Sequence, residues 1–191
     1  NALLPGDFAK KSLFLSAGGE AVENAIKIAR YYTKRPALIT FTNGYHGRSY
    51  MGMALSARMV PFKQGFGPFP SDIYRLPFPD EFHGISLDDT KCAFETLFRS
   101  DCPPDQIAAI FFEPVQGEGG YNIATPEFVA YLRELCDAHG IVLVADEIQS
   151  GMGRTGKMFA MEHFGIHPDL SCVGKSIGGG LPISGVVGKA N

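Results

Sequence analysis

The stretch "LVADEIQSGMGRTG", residues 143–156, supports two opposed readings, and the choice between them decides what kind of α/β fold this is. Its second half, Gly151 to Gly156, spells G-x-G-x-x-G behind an apolar run, the outline of a dinucleotide-binding turn. Its first half ends that run on a carboxylate, Asp146, with Glu147 next to it. A dinucleotide turn puts its first glycine at the strand end and opens a helix at the third. Here Asp146 to Ser150 intervene before Gly151. The motif also needs an acid about 20 residues further on. Ser171 and Cys172 stand there, with Asp169 only loosely placed. Placement argues against a pyrophosphate, so Asp146 needs another partner.

Outward from this stretch, apolar strand-like runs alternate with helical ones. "SLFLSA" (12–17) precedes "EAVENAIKIARYY", where Val22, Ala25, Ile26 and Ala29 repeat at the spacing of an amphipathic helix. "ALITFT" (37–42), "IYRLPF" (73–78) and "IAAIFFEP" (107–114) are rich in the Ile and Phe that strands favour. "TPEFVAYLRELCDAHG" is a helix with Thr125 as cap, Pro126 in the first turn and Gly140 at the exit. "IVLVADE" (141–147), "LSCVGK" (170–175) and "ISGVVGK" (183–189) bring the expected strands to seven. Continuous apolar runs separated by helices belong to strands buried on both faces, hence a mainly parallel α/β sheet. "SIGGGLP" is too short for a crossover helix, so the last strand is expected to run antiparallel. The loop over 56–72, rich in Gly, Phe and Pro, is long for a connection and is a candidate for a functional role.

The chain has 191 residues, 45% of them hydrophobic, which suffices for one domain with a sizeable core. A net charge of −3 without a basic stripe argues against a nucleic-acid or membrane-surface partner. No apolar run approaches the ~20 residues of a membrane span. Cys92, Cys102, Cys136 and Cys172 are scattered without a C-x-x-C pair, which suggests reduced thiols and a cytoplasmic setting. His163 and His167 have the spacing of a helical metal pair. Gly165 and Pro168 make that helix doubtful and no third ligand is evident, so no metal site is expected.

Ligands of open α/β sheets bind at the carboxyl ends of the strands. The residues expected there are Gly18 and Gly19, Tyr45 to Arg48, Glu113 and Glu118, Asp146 to Gln149, and Lys175. Neighbouring parallel strands lie ~4.8 Å apart, so groups at their ends can grip one flat ring between them. The apolar approach "LSCVG" suggests a lysine whose burial would free its amine for Schiff-base chemistry. Asp146 at the next strand end is what a pyridinium nitrogen requires. Gly18-Gly19 opening a helix offers bare N–H groups for a phosphate. Together these point to pyridoxal phosphate.

At these residues the sequence resembles a known family. "SAGGEAVENAIKIAR", "YHGRS", "EPVQGEGG", "ADEIQSGMGRTG" and "GKSIGGGLP" are similar, in order and over nearly the whole chain, to the motif series of the class III pyridoxal-phosphate-dependent aminotransferases. The resemblance implies the three-layer large domain of fold type I, with a seven-stranded, mostly parallel sheet and one antiparallel strand. It implies that Lys175 carries the cofactor and shuttles a proton, and that Asp146 pairs with the ring nitrogen. Gln149 would bond the phenolic oxygen, with Ile148 against one ring face and Tyr45 over the other, His46 beside it. Gly18 and Gly19 would hold the phosphate. Arg48 would clamp a substrate carboxylate, which a two-pronged guanidinium suits; a structural ion pair is the plainer alternative. Glu118 would neutralise a second arginine from outside this sequence, and Glu113 would support the site or be structural only.

The implied activity is ping-pong transfer of an amino group from an ω-amino acid, 4-aminobutyrate foremost, to 2-oxoglutarate by way of pyridoxamine phosphate. Ornithine, acetylornithine, diaminobutyrate or β-alanine are alternative donors, and an aminomutase or a non-catalytic fragment are rival readings. Relatives often carry Ser or Thr at the position of Gly19, so one phosphate hydrogen bond, worth about 1 kcal/mol, is lost here unless another donor compensates. The resemblance also implies a homodimer, or a dimer of dimers, with residues shared across the interface. With Asn at position 1, residues 1–191 are expected to be the cofactor-binding large domain of a longer protein, without its N-terminal segment and C-terminal small domain.

Overall fold

The computed structural model describes residues 1–190. Its centre is a seven-stranded sheet whose strands, named in chain order, are β1 (Lys10–Leu15), β2 (Ala37–Phe41), β3 (Ile73–Leu76), β4 (Ile107–Phe112), β7 (Val142–Asp146), β8 (Leu170–Val173) and β9 (Ser184–Lys189). The remaining pair, β5 (Val115–Gln116) and β6 (Asn122–Ile123), makes a small separate hairpin. Spatial order is β1-β9-β8-β7-β4-β2-β3. β9 runs antiparallel to both β1 and β8, and the other pairs are parallel. The expected antiparallel last strand is therefore present, and the remaining six strands place their carboxyl ends on one edge.

The helices are α1 (Gly18–Thr33), α2 (Tyr50–Leu55), α3 (Leu87–Ser100) and α4 (Pro126–His139). Ala21, Val22, Ala25, Ile26 and Ala29 of α1 pack with Leu38, Phe111, Val144 and Cys172 on one face of the sheet. Phe94 and Leu97 of α3, with Phe128 and Leu132 of α4, pack with Ile39, Phe41, Phe112 and Leu143 on the other. Alternate residues of one strand thus serve opposite layers, which is why β2 and β4 are buried throughout and read as unbroken apolar runs. This is the three-layer α/β architecture.

α4 is capped as its sequence implies: Thr125 Oγ1 accepts from the Phe128 amide at 3.2 Å, and Gly140 leaves in the left-handed region at φ 63°. α3 is not among the elements expected from the sequence, although Ser86-x-x-Asp89 announces it. Ser86 Oγ accepts from the Asp89 amide, and Asp89 accepts from the Ser86 amide, a reciprocal cap. The 56–72 loop is pinned rather than free. Lys63 Nζ donates to Ser56 O at 3.1 Å, and the Phe62 ring packs 4.9 Å from that of Tyr45. No helix among the described residues is long and apolar enough to cross a membrane.

Candidate active site

The carboxyl edge of the sheet opens into a cleft of about 420 Å³, within the usual range for small-molecule sites. Its lining takes in Gly18, Gly19, Tyr45, His46, Arg48, Glu113, Asp146, Ile148, Gln149 and Lys175, so residues from five strand ends meet there. Of the expected site residues, Glu118 alone is absent from this lining. It is exposed in the β5–β6 turn, although its charge still acts on Arg48.

Asp146 ends β7 and is buried, as is His46. His46 Nδ1 lies 2.8 Å from Asp146 Oδ2; since a carboxylate only accepts, Nδ1 carries the hydrogen. Burial works against an imidazolium here, but the hydrogen bond and charge of Asp146, helped by Glu113, outweigh it and raise the His46 pKa. Asp146 Oδ1 accepts from the Ile148 amide at 3.2 Å. The sequence placed His46 merely beside Tyr45. Its hold on Asp146, across 100 residues of chain, is a contact that only the fold creates.

Glu113 is the next buried acid. Burial above all, and then the Asp146 charge, push its carboxyl up to about 7, against the pull of His46 and two backbone donors. Those donors are the Tyr45 amide at 2.7 Å and the Gly117 amide at 3.4 Å. Glu113 therefore fastens the Tyr45 loop to the loop that carries Glu118. Arg48 is exposed, and its Nε donates to Tyr45 Oη at 3.3 Å.

Lys175 departs from expectation. The apolar approach suggested burial, yet Lys175 is exposed, because a short 3₁₀ turn over Lys175–Gly178 lifts it off the end of β8. Its backbone sits in the left-handed region at φ 47°, a conformation that costs a non-glycine residue about 1 kcal/mol. Nζ donates to Gln149 Oε1 at 2.9 Å, and Gln149 packs so closely over Gly117 that a Cβ there would lie 2.3 Å away.

The start of α1 presents free backbone donors that could hold an anion. Glu20 Oε2 accepts the Ser16 and Ala17 amides, and the Glu20 and Ala21 amides bond Ala17 O. The Gly18 and Gly19 amides have no partner among the described residues. A Cβ on Gly18 would come within 3.1 Å of the Ile148 side chain, a tight approach that the bare backbone avoids. Beside them the Ser49 hydroxyl is buried and unpaired. Free amides, an orphaned hydroxyl, a reachable amine and a backed carboxylate are the donor set that pyridoxal phosphate needs, and the residues fit that group.

The dinucleotide alternative does not survive the geometry. Gly151 to Gly156 form successive turns with Gly153 and Gly156 at positive φ, and no α-helix opens at the third glycine. Glu147 explains that segment. Buried, it accepts Ser150 Oγ at 2.9 Å and the Ala160 and Met161 amides at 2.8 and 2.9 Å, tying the turn to β7. His163 and His167 do not share a helix, since the 3₁₀ turn ends at His163, whose ring bonds Thr155 O.

An open α/β sheet with a lysine, a carboxylate and a helix start with free amides converging on one edge is the arrangement in which small-molecule sites of such sheets are found. A model of the class-III aminotransferase family matches residues 1–191. The 5-aminovalerate aminotransferase DavT of Pseudomonas putida is 54% identical over 190 residues, covering 100% of this chain and 45% of the relative. The 4-aminobutyrate aminotransferase GabT of Escherichia coli is 52% identical over 190 residues, again covering 100% and 45%. Among solved structures, a taurine:2-oxoglutarate aminotransferase from Bifidobacterium kashiwanohense, in complex with PLP and glutamate, aligns with TM-score 0.91 at 28% identity, over 99% of this chain and 44% of that one. The chain belongs to the class-III aminotransferase family. It spans about half the length of the curated relatives it matches.

Proposed function

We propose that this chain forms the cofactor-holding part of a transaminase that moves an amino group from an ω-amino acid to a 2-oxo acid, with pyridoxal phosphate as cofactor. The observation that carries this reading is the convergence of Lys175, Asp146 with His46 behind it, and the free Gly18 and Gly19 amides on one cleft. Bound there, pyridoxal phosphate supplies an electron sink for the carbon from which a proton is removed.

The chain's own residues do the rest. Lys175 Nζ would hold the cofactor, and the same amine could accept and return a proton. Its resting bond to Gln149 orients the amine without burying it. Asp146 would hold a proton on the ring nitrogen, and His46 fixes the orientation of its carboxylate. Ile148 and Tyr45 would bound the ring, Tyr45 being steadied by Glu113 and Phe62. Arg48 takes a carboxylate of the substrate, with Glu118 near enough to temper its charge.

As donor we favour a straight-chain ω-amino acid of the length of 4-aminobutyrate or 5-aminovalerate, and as acceptor 2-oxoglutarate. The names of the most similar relatives support that donor length; 5-aminovalerate is a donor that the sequence motifs alone did not suggest. We further propose a homodimer and a cytoplasmic location, with residues 1–191 as the large domain. The test is glutamate formation by the full-length enzyme from 2-oxoglutarate and each of 4-aminobutyrate, 5-aminovalerate, ornithine and β-alanine. Preference for one of the first two is expected. No glutamate from any ω-amino donor would refute the reading.

A further inference from the structure

Ser49 is the N-cap of α2, a position where the hydroxyl ordinarily accepts an amide of the first helical turn. Here it does not. The Met51 amide donates instead to Glu23 Oε1 of α1, at 2.9 Å, so the capping task has passed to a carboxylate from another helix. The Ser49 hydroxyl is left buried and without a partner, a costly state for a polar group unless a ligand completes it. It faces Gly19: a Cβ on that glycine would lie 3.4 Å from Ser49 Oγ. Gly19 offers an amide but no side chain, and the Gly18 amide beside it is equally free. Two amides leave phosphate oxygens unsatisfied, and the Ser49 hydroxyl is an unengaged donor in a residue that lines the same cleft.

We infer that Ser49 is a phosphate-binding residue, donating from the α2 cap to the anion held at the start of α1. The inference rests on the proposal that the cleft takes pyridoxal phosphate. Ser49 thereby supplies from a neighbouring loop the hydroxyl that Gly19 lacks. Glu23 takes part indirectly, because its grip on the Met51 amide releases Ser49 from capping.

The test uses the full-length enzyme and calorimetric binding of pyridoxine 5′-phosphate, which has no aldehyde and cannot bond Lys175, so that the phosphate contacts are read apart from the covalent link. Pyridoxal, which lacks the phosphate, is the control. Ser49→Ala is expected to weaken pyridoxine 5′-phosphate about tenfold, the size of one hydrogen bond to a charged group, and to leave pyridoxal within about twofold of wild type on the same scale. Ser49→Thr, which keeps the hydroxyl, is expected to bind like wild type. Unchanged binding in Ser49→Ala, equal loss for both ligands, or a Ser49→Thr variant as weak as Ser49→Ala would overturn the inference. A wild-type enzyme that forms no Lys175-linked cofactor would instead defeat the reading of the site, whereas an intact link with Ser49 indifferent defeats the inference alone.

Discussion

Two glycine-bearing turns leave the carboxyl edge of this sheet, and they do opposite things. Gly18-Gly19 follows β1 and runs directly into α1, so its amides point outward with the positive end of a helix behind them. Gly151 to Gly156 follows β7, spells the better-known motif, and folds back on itself. Its first amide bonds Glu147 O, its last bonds Gly153 O, and no helix follows. On the proposed reading, what fits a glycine turn to hold an anion is the helix it opens; the spacing of its glycines is secondary. The adjacent acids divide in the same way. Glu147 is saturated by protein donors, whereas Asp146 is backed by His46 and faces the cleft.

Substitutions that hit one member of each pair should separate chemistry from architecture. The largest effect is expected from Asp146→Asn, which removes the charge proposed to face the ring nitrogen: turnover of the full-length enzyme should fall on the order of 10²–10³-fold, measured as glutamate formation with the protein still folded. An unchanged rate would erase the distinction between the two acids. Glu147→Ala should do the reverse. It leaves the Ser150 hydroxyl and the Ala160 and Met161 amides unpaired in a buried place. About 3 kcal/mol of stability should go, seen in denaturant unfolding, while cofactor affinity per folded molecule holds.

The glycine turns are compared by Gly18→Ala and Gly153→Ala. A methyl on Gly18 meets Ile148 at 3.1 Å beside the free amides, so cofactor affinity should drop several-fold. A methyl on Gly153 meets nothing within 4 Å but sits at φ +83°. It should cost about 1 kcal/mol of stability and leave cofactor affinity alone. If both variants lose affinity equally, the turns are not as different as described.

The smallest effect concerns pH. Glu113 holds its proton up to about 7 in the fold, against 4.5 ordinarily. A raised carboxyl contributes stability that is fully present below pH 4.5 and is lost as pH rises through about 7. His46, also raised, has the same sign. Cofactor-free wild type should therefore lose stability on going from about pH 5 to about pH 8, and Glu113→Gln should lose less over that window. Parallel pH profiles for the two proteins would show that Glu113 is ionised throughout.

Much of this was legible in the sequence because the physics is local. Fully buried strands must be continuously apolar, and α4 carries its own stop and start in Thr125, Pro126 and Gly140. Lys175 and Asp146 could be placed because each ends such a run. What was missed depends on distant partners. His46 grips Asp146 across 100 residues, and the Met51 amide at the start of α2 is taken by Glu23 of another helix, at 28 residues' separation. The exposure of Lys175 follows from a turn after the strand, which the apolar approach does not encode. α3 is the exception: its reciprocal Ser86–Asp89 cap was readable.

The central claim is that the lysine lifted off β8 carries the cofactor. Borohydride reduction of the full-length protein with pyridoxal phosphate, followed by peptide mapping, tests it most directly. The account predicts a single label on Lys175, lost in Lys175→Ala. A label on another lysine, or one spread over several, would contradict it.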